Sequence, residues 1–219
     1  MSIKQGDGSC VSPGNGYISD CDLTQALLQK ASARNEMEGR GYAWKNCLAK
    51  AKKIKLLLLD VDGVLTDGSI AYTDEGREVK TFSVKDGFGM NMLQKTGVEI
   101  GLITARSSEA LTRRAKDLRL KYVYQGVREK VAMYEQVKEE LNLEAYEIAY
   151  MGDDWLDLAL LSRVGFSATV ADGVPEVQKI VDYVAKCAGG RGAVREVCEL
   201  IIDAKGEYDT LLNYYLAKV

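Results

Sequence analysis

The chain has 219 residues and no histidine. That absence removes imidazole as base, nucleophile or metal ligand, and so excludes Ser-His-Asp hydrolysis, Cys-His catalysis, phosphohistidine chemistry and H-E-x-x-H zinc sites. Acid–base work near neutral pH falls to carboxylates, Lys, Tyr or Cys. Cysteine is sparse and unpatterned: the 5 residues Cys10, Cys21, Cys47, Cys187 and Cys198 form no C-x-x-C pair. Neither a zinc ribbon nor a disulfide framework is suggested, and a reducing, cytoplasmic setting is expected. No cysteine is followed by Arg at the sixth position, as the phosphate-binding loop of cysteine-dependent phosphatases requires, so all are read as packing or surface thiols. Long apolar runs are missing too. The stretch Ile54 to Leu59, interrupted by Lys55, falls far short of the ~20 residues that span a bilayer. No apolar signal segment opens the chain, so neither membrane nor export is expected. Finally there is no excess of one charge. With 29 basic and 32 acidic side chains the net charge is -3, which does not favour nucleic acid as a partner.

What is present is the composition of a globular protein, 47% hydrophobic and 28% charged, enough for a buried core. Residues 1 to 22 are rich in Gly, Ser, Asn and Asp and hold Pro13, one of 2 prolines; this stretch is read as linker-like. Cys21 to Lys53 has helix-forming composition with weak apolar periodicity, as in an accessory helical arm. The expected organisation is an N-terminal extension over 1–53, a core over 54–205 and a tail over 206–219.

From Ile54 onward, short apolar runs alternate with helix-period segments. Ile54 to Val61, Val98 to Ile103, Tyr122 to Tyr124, Ile148 to Met151 and Phe166 to Val170 read as strands. Gly87 to Lys95, Ser107 to Leu118, Glu129 to Leu141 and Trp155 to Val164 read as helices. This alternation predicts an α/β protein, a doubly wound parallel sheet with helices on both faces and its ligand chemistry at the carboxyl ends of the strands. Ser69 to Thr73 and Glu78 to Ser83, separated by Asp74-Glu75-Gly76-Arg77, read as a β-hairpin inserted after the first strand.

The strand ends carry the chemistry. The first closes on Asp60-Val61-Asp62, and a two-residue spacing sends both carboxylates to one side of the strand end. Two anions placed together call for a cation or a substrate. The second strand closes on Thr104-Ala105-Arg106-Ser107, a hydroxyl at a helix start, where free N–H groups favour an anion; a plain helix cap would use the same residue types. Lys130 opens the helix after the third strand, a position disfavoured by the helix dipole, although a solvated lysine is the simpler reading of it alone. After the fourth strand come Asp153, Asp154 and Asp157, more acids than capping needs and suited to a hard cation with oxygen ligands.

Each feature taken alone has a bland explanation, but D-x-D, Thr, Lys and an acid cluster in that order resemble the haloacid dehalogenase superfamily of phosphotransferases, over about residues 54 to 205. Within it, Asp60 to Gly68, Lys85-Asp86-Gly87-Phe88-Gly89-Met90, Ile103 to Arg106, Gly152-Asp153-Asp154 and Gly189 to Glu196 resemble the 3-deoxy-D-manno-octulosonate 8-phosphate phosphatases. These are capless tetramers acting in the synthesis of the inner sugar of lipopolysaccharide. Lys85 and Ala105 stand where the family pattern has Arg and Gly. The resemblance implies Asp60 as nucleophile, Asp62 as general acid and base, Thr104 and Lys130 on the phosphoryl group, and Mg²⁺ held by Asp60, the backbone carbonyl of Asp62, and Asp153. Asp154 and Asp157 are expected to orient Lys130 or metal-bound water. Lys85, Asp86, Gly87, Arg106, Arg191 and Arg195 are expected to contact the sugar acid, and a homotetramer is expected in which the Gly189 to Glu196 segment reaches a neighbouring site. The alternatives are a nonulosonate 9-phosphate phosphatase, a regulatory domain that kept the motifs, and a non-catalytic phospho-acceptor of the receiver type. Receivers carry their Asp at the end of the third strand, where this chain has Tyr124-Gln125-Gly126.

Overall fold

The computed structural model describes residues 23, 25–27, 29 and 41–217. The linker-like stretch 1–22 lies outside the described residues, as do Cys10, Cys21 and most of the arm up to residue 40. The chain divides into two compact units, Gly41–Leu211 and a second made of Met1–Arg40 with Leu212–Val219. In the second unit the described residues up to 29 are helical, with Leu23 and Leu27 exposed.

The unit Gly41–Leu211 is built on a six-stranded sheet. Its strands are β1 (Leu56–Leu59), β4 (Glu99–Ile103), β5 (Tyr122–Tyr124), β6 (Ile148–Met151), β7 (Phe166–Thr169) and β8 (Tyr183–Val184), in the order β5-β4-β1-β6-β7-β8. Every pairing is parallel. Four consecutive leucines make β1, all 0% exposed, because a central strand covered on both faces has no solvent side to alternate with. From β1 the chain builds outward through β4 and β5, then crosses back to β6 on the other flank. The carboxyl end of β1 is therefore the topological switch point, where a crevice opens.

Helices α2 (Val84–Lys95), α3 (Glu109–Asp117), α4 (Lys130–Glu140), α5 (Trp155–Leu161), α6 (Pro175–Ile180) and α7 (Ala193–Ala204) surround the sheet. Leu56, Leu58, Ile103 and Ile148 pack with Tyr134, Val137, Leu160, Leu161 and Val177 from α4, α5 and α6 in one buried cluster. Strands β2 (Ala71–Tyr72) and β3 (Glu78–Val79) form the hairpin as an antiparallel pair. It is shorter than the two apolar runs suggested and leaves Ile70, Tyr72 and Val79 exposed.

Two elements differ from the sequence reading. The stretch 206–219, read as a tail, carries helix α8 (Tyr208–Leu216). Helix α1 (Tyr42–Ala51) belongs to the compact unit, which begins at Gly41, ahead of the boundary read at residue 53. Its anchor is Trp44, 6% exposed, whose indole N–H donates to Asp203 at 2.9 Å and whose ring meets Tyr183 edge-on at 6.0 Å. On the same side Cys47 is buried, and Lys50 pairs with Asp182 at 2.5 Å. Only a few large side chains make this contact, so the apolar periodicity of α1 is weak. Truncating a buried Trp costs about 3–5 kcal/mol. Trp44→Ala is therefore expected to lower the denaturant midpoint strongly; an unchanged midpoint would return α1 to the status of an appendage. The described cysteines, Cys47, Cys187 and Cys198, are all free thiols. Among the described residues no helix is long and apolar enough to cross a membrane.

Candidate active site

At the switch point lies a cavity of about 270 Å³ whose lining includes Asp60, Asp62, Thr104, Arg106, Lys130, Asp153, Asp154 and Asp157. Eight of the residues singled out in the sequence thus converge here from four strand ends. The chain turns sharply after Asp60: the N–H groups of Val64, Leu65 and Thr66 all donate to the carbonyl of Val61. Gly63 sits in this turn at φ +81°, and a Cβ there would lie 2.0 Å from Oδ2 of Asp153. A residue without a side chain is therefore needed for the two acidic loops to close on each other.

Asp60 is 9% exposed. Its Oδ1 accepts the N–H of Val61 at 2.7 Å and its Oδ2 lies 2.9 Å from Nζ of Lys130. The ammonium also donates to Oδ1 of Asp157 at 2.7 Å and to the hydroxyl of Tyr150 at 3.2 Å. All three of its protons are thus committed. Burial alone would lower the pKa of Lys130, but Asp60 and Asp157 outweigh it and hold it above the ordinary lysine range. This pairing is the reason a cation sits buried at the start of α4, where the helix dipole opposes it.

Asp157 is 0% exposed and its two oxygens serve four donors. Besides Lys130 these are the Tyr150 hydroxyl at 2.5 Å and the N–H groups of Asp153 and Asp154 at 3.0 and 3.3 Å. Asp154 caps α5 by accepting the N–H of Trp155 at 2.6 Å. One acid of the fourth-strand cluster therefore locks the lysine and the loop, a second caps the helix, and Asp153 faces the cavity. Thr104 is 2% exposed and its hydroxyl oxygen accepts the N–H of Arg106 at 3.3 Å.

Asp60, Asp153 and Asp157 offer carboxylate oxygens that all lie within 4.8 Å of one another. Burial, reinforced by the neighbouring acids, pushes Asp153 up to about 7. Burial also pushes Asp60 up to about 6, with Lys130 opposing and Asp157 adding to the effect. Three acids against one ammonium, with oxygen donors only, fit a hard divalent cation. Since the oxygens of Asp157 are taken, Asp60 and Asp153 are the carboxylates left to ligate it.

The expected sugar contacts divide. Arg106 lines the active-site cavity. Lys85 and Arg191 line a second cavity, of about 310 Å³, together with Asp67, Thr81 and Ser83; there Arg191 pairs with Asp67 of its own chain at 3.2 Å. The other three lie elsewhere and carry packing. Asp86 is 1% exposed, and its carboxylate accepts the N–H groups of Gly192 and Arg195 at 3.2 and 2.8 Å, closing the N-terminus of α7. Gly87 leaves room for Arg114, whose guanidinium would lie 2.2 Å from a Cβ at that position. The side chain of Arg195 pairs with Glu199 at 2.5 Å and lies over the Phe88 ring. The glycines at 189 and 190 bring this segment onto the loop that follows Asp60: Gly190 N–H donates to the carbonyl of Val64 at 2.9 Å, and a Cβ at Gly189 would meet the carbonyl oxygen of Gly63 at 1.8 Å.

Three residues of the site were not among the sequence candidates. Tyr150, buried in β6, has the pattern of a core residue and nothing else. Glu78 and Lys80 stand at the hairpin strand β3; Lys80 ion-pairs with Asp62 and with Glu78, and Glu78 pairs in turn with Arg106. Their i, i+2 spacing was a signal that they share one side of a strand.

A buried carboxylate ending the central strand of a parallel sheet, with Thr, Lys and an acid cluster at the neighbouring strand ends, defines a phosphotransferase site of the haloacid dehalogenase type. The model of the haloacid dehalogenase-like hydrolases matches residues 122–197. The chain is 41% identical over 162 residues to the 3-deoxy-D-manno-octulosonate 8-phosphate phosphatase KdsC of Escherichia coli (strain K12), covering 74% of this chain and 86% of that one. It superposes with a TM-score of 0.75 and 40% identity on the same phosphatase from Moraxella catarrhalis, solved with magnesium, phosphate and KDO, over 77% of this chain and 97% of that one. The cobalt-bound phosphatase of Haemophilus influenzae aligns with a TM-score of 0.72 and 36% identity, over 76% and 99%. The chain belongs to the 3-deoxy-D-manno-octulosonate 8-phosphate phosphatase family of these hydrolases. It is an enzyme, and the phospho-acceptor reading is set aside.

Proposed function

We propose that the protein hydrolyses 3-deoxy-D-manno-octulosonate 8-phosphate in a Mg²⁺-dependent reaction, through an aspartyl phosphate, as a step towards lipopolysaccharide. The observation that carries this reading is the buried Asp60–Lys130 pair at 2.9 Å, open to the cavity and flanked by Asp153. It is supported by the magnesium, phosphate and KDO bound to the Moraxella relative.

A carboxylate oxygen of Asp60 attacks phosphorus in line, the ester P–O bond breaks, and the proton of Asp62 passes to the leaving sugar oxygen. Water then attacks phosphorus, gives its proton to Asp62, and the P–O bond to Asp60 breaks, restoring the carboxylate and releasing phosphate. An anion attacking a dianion needs neutralisation. Lys130 supplies one charge from a fixed position. Asp60, Asp153 and the backbone carbonyl of Asp62 would hold Mg²⁺, which supplies two more. Thr104, whose oxygen already accepts from Arg106, keeps its O–H for a phosphoryl oxygen. Arg106 is the cation at the cavity mouth for the sugar acid.

The test is phosphate release over a panel of sugar-acid phosphates, with eight- and nine-carbon acids and simple alkyl phosphates side by side. The eight-carbon substrate is expected to have the highest kcat/KM. A preference for a nine-carbon acid would move the protein to the nonulosonate phosphatases.

A further inference from the structure

We propose that Lys80, on the inserted hairpin, is the positioning residue for Asp62, and that the hairpin is thereby part of the catalytic apparatus. The proposal rests on the reading of Asp62 as the acid and base of the reaction. The side chain of Lys80 is 3% exposed. A buried ammonium is costly unless paired, and a pair formed merely to hold a hairpin would serve as well at the surface. Lys80 instead reaches inward. Its Nζ is hydrogen-bonded to Oδ1 of Asp62 and lies 3.1 Å from Oε1 of Glu78.

Arg106 completes the arrangement. Its Nη2 donates to the same Glu78 oxygen at 3.1 Å, and its Nε lies 3.8 Å from Oδ2 of Asp62. That Nε is buried and makes no hydrogen bond. Each oxygen of Asp62 thus faces a different cation, and both cations are tied to Glu78. Asp62 itself stands in the turn after β1, with its side chain 25% exposed. In such a place a carboxylate would ordinarily sample several rotamers. Acid–base catalysis requires its oxygen within hydrogen-bond reach of one atom, first the leaving oxygen and then the attacking water. Lys80 removes the freedom that would spoil that geometry, and it acts through Asp62 without touching the substrate.

The experiment is a double-mutant cycle between Lys80→Met and Asp62→Asn, read with p-nitrophenyl phosphate and with the sugar-acid phosphate, in the presence of Mg²⁺. General acid–base catalysis contributes about 10²–10⁴-fold; loss of positioning is expected to forfeit about 10- to 100-fold of kcat, with KM changed less than about threefold. p-Nitrophenolate leaves without a proton, so with that substrate the second step alone depends on Asp62. Lys80→Met is expected to show a burst of p-nitrophenolate approaching one equivalent per site, followed by slow turnover. Lys80→Arg should recover much of the rate. In the Asp62→Asn background, Lys80→Met should have almost no further effect. Glu78→Gln, which removes the anchor and leaves both cations, carries the same expectation on a smaller scale and replaces Lys80→Met if that variant does not fold.

Independent, multiplicative effects of the two substitutions would overturn the proposal. So would a raised KM for the sugar-acid phosphate alone with unchanged p-nitrophenyl phosphate turnover, which would make Lys80 a substrate contact. Unchanged turnover in Asp62→Asn by itself would overturn the role of Asp62 and this proposal with it. That failure is read from the single variant, so it is separable from the others.

Discussion

Asp60→Asn is expected to abolish phosphate release, by about 10³-fold or more, while the protein stays folded. On the proposed mechanism the magnitude follows from the loss of a covalent catalyst, whose removal is not made good by the rest of the site. An amide nitrogen or oxygen in this position is too poor a nucleophile to open a phosphate ester. The fold should survive for a local reason. Asp60 is one of three acids crowded around a single ammonium, and its burial opposes its own charge. The near-isosteric amide removes an unfavourable charge and loses part of one ion pair, and these changes offset. Circular dichroism melts and phosphate release on purified variant and parent check both halves. Residual activity above a few per cent would remove Asp60 from its role.

Chelation of divalent metal is expected to have an effect of comparable size on turnover, reversed by Mg²⁺, and to reveal the site in stability as well. Without metal, the folded chain holds Asp60 at about 6 and Asp153 at about 7, against about 4 for an unfolded aspartate. Between these values the folded state binds more protons than the unfolded one. Their contribution is therefore fully present below about pH 4 and is lost as the pH rises through 6 and 7. The metal-free protein should be least stable on the alkaline side, by an amount on the order of a few kcal/mol. Added Mg²⁺ needs the ionised carboxylates and competes with their protons. The rise in Tm on adding it should accordingly be larger at pH 8 than at pH 5. Equal shifts at the two pH values, or full activity in EDTA, would contradict the site as described.

The convergence of the site's side chains on one cavity was legible because they follow strand ends. Ile148 to Met151 and Tyr122 to Tyr124 were bounded to the residue, and β1 was found with its limits slightly wide. Once strands and crossovers are placed, every strand end in a parallel sheet faces the same crevice. Asp60, Thr104, Lys130 and Asp153 had to meet for that reason. Asp86 and Arg195 show where this logic stops. Both lie in motif-like segments rich in glycine and charge, yet one closes a helix terminus and the other packs on Phe88 and Glu199. A helix cap supplied from another element has no signature in local spacing. The hairpin was legible as an insertion next to Asp60, but the contact of Lys80 with Asp62 was not, because turn chemistry specifies how two strands pair and says nothing of which side chain reaches back.

The sequence by itself determined the class of chemistry and the order of its parts. The lack of histidine, the alternation of short apolar runs with helix-period segments and the acids at the ends of those runs are local properties, readable from short stretches of the chain. Only the tertiary structure decided which of three neighbouring acids is free. Asp157 is saturated by Lys130, Tyr150 and two backbone N–H groups, Asp154 caps a helix, and Asp153 is left for the cavity. It also decided that α1 is part of the core through Trp44, and that Lys80 reaches Asp62. These contacts join residues far apart in the chain, and their strength depends on burial. Burial is a property of the packed whole, absent from any window of sequence.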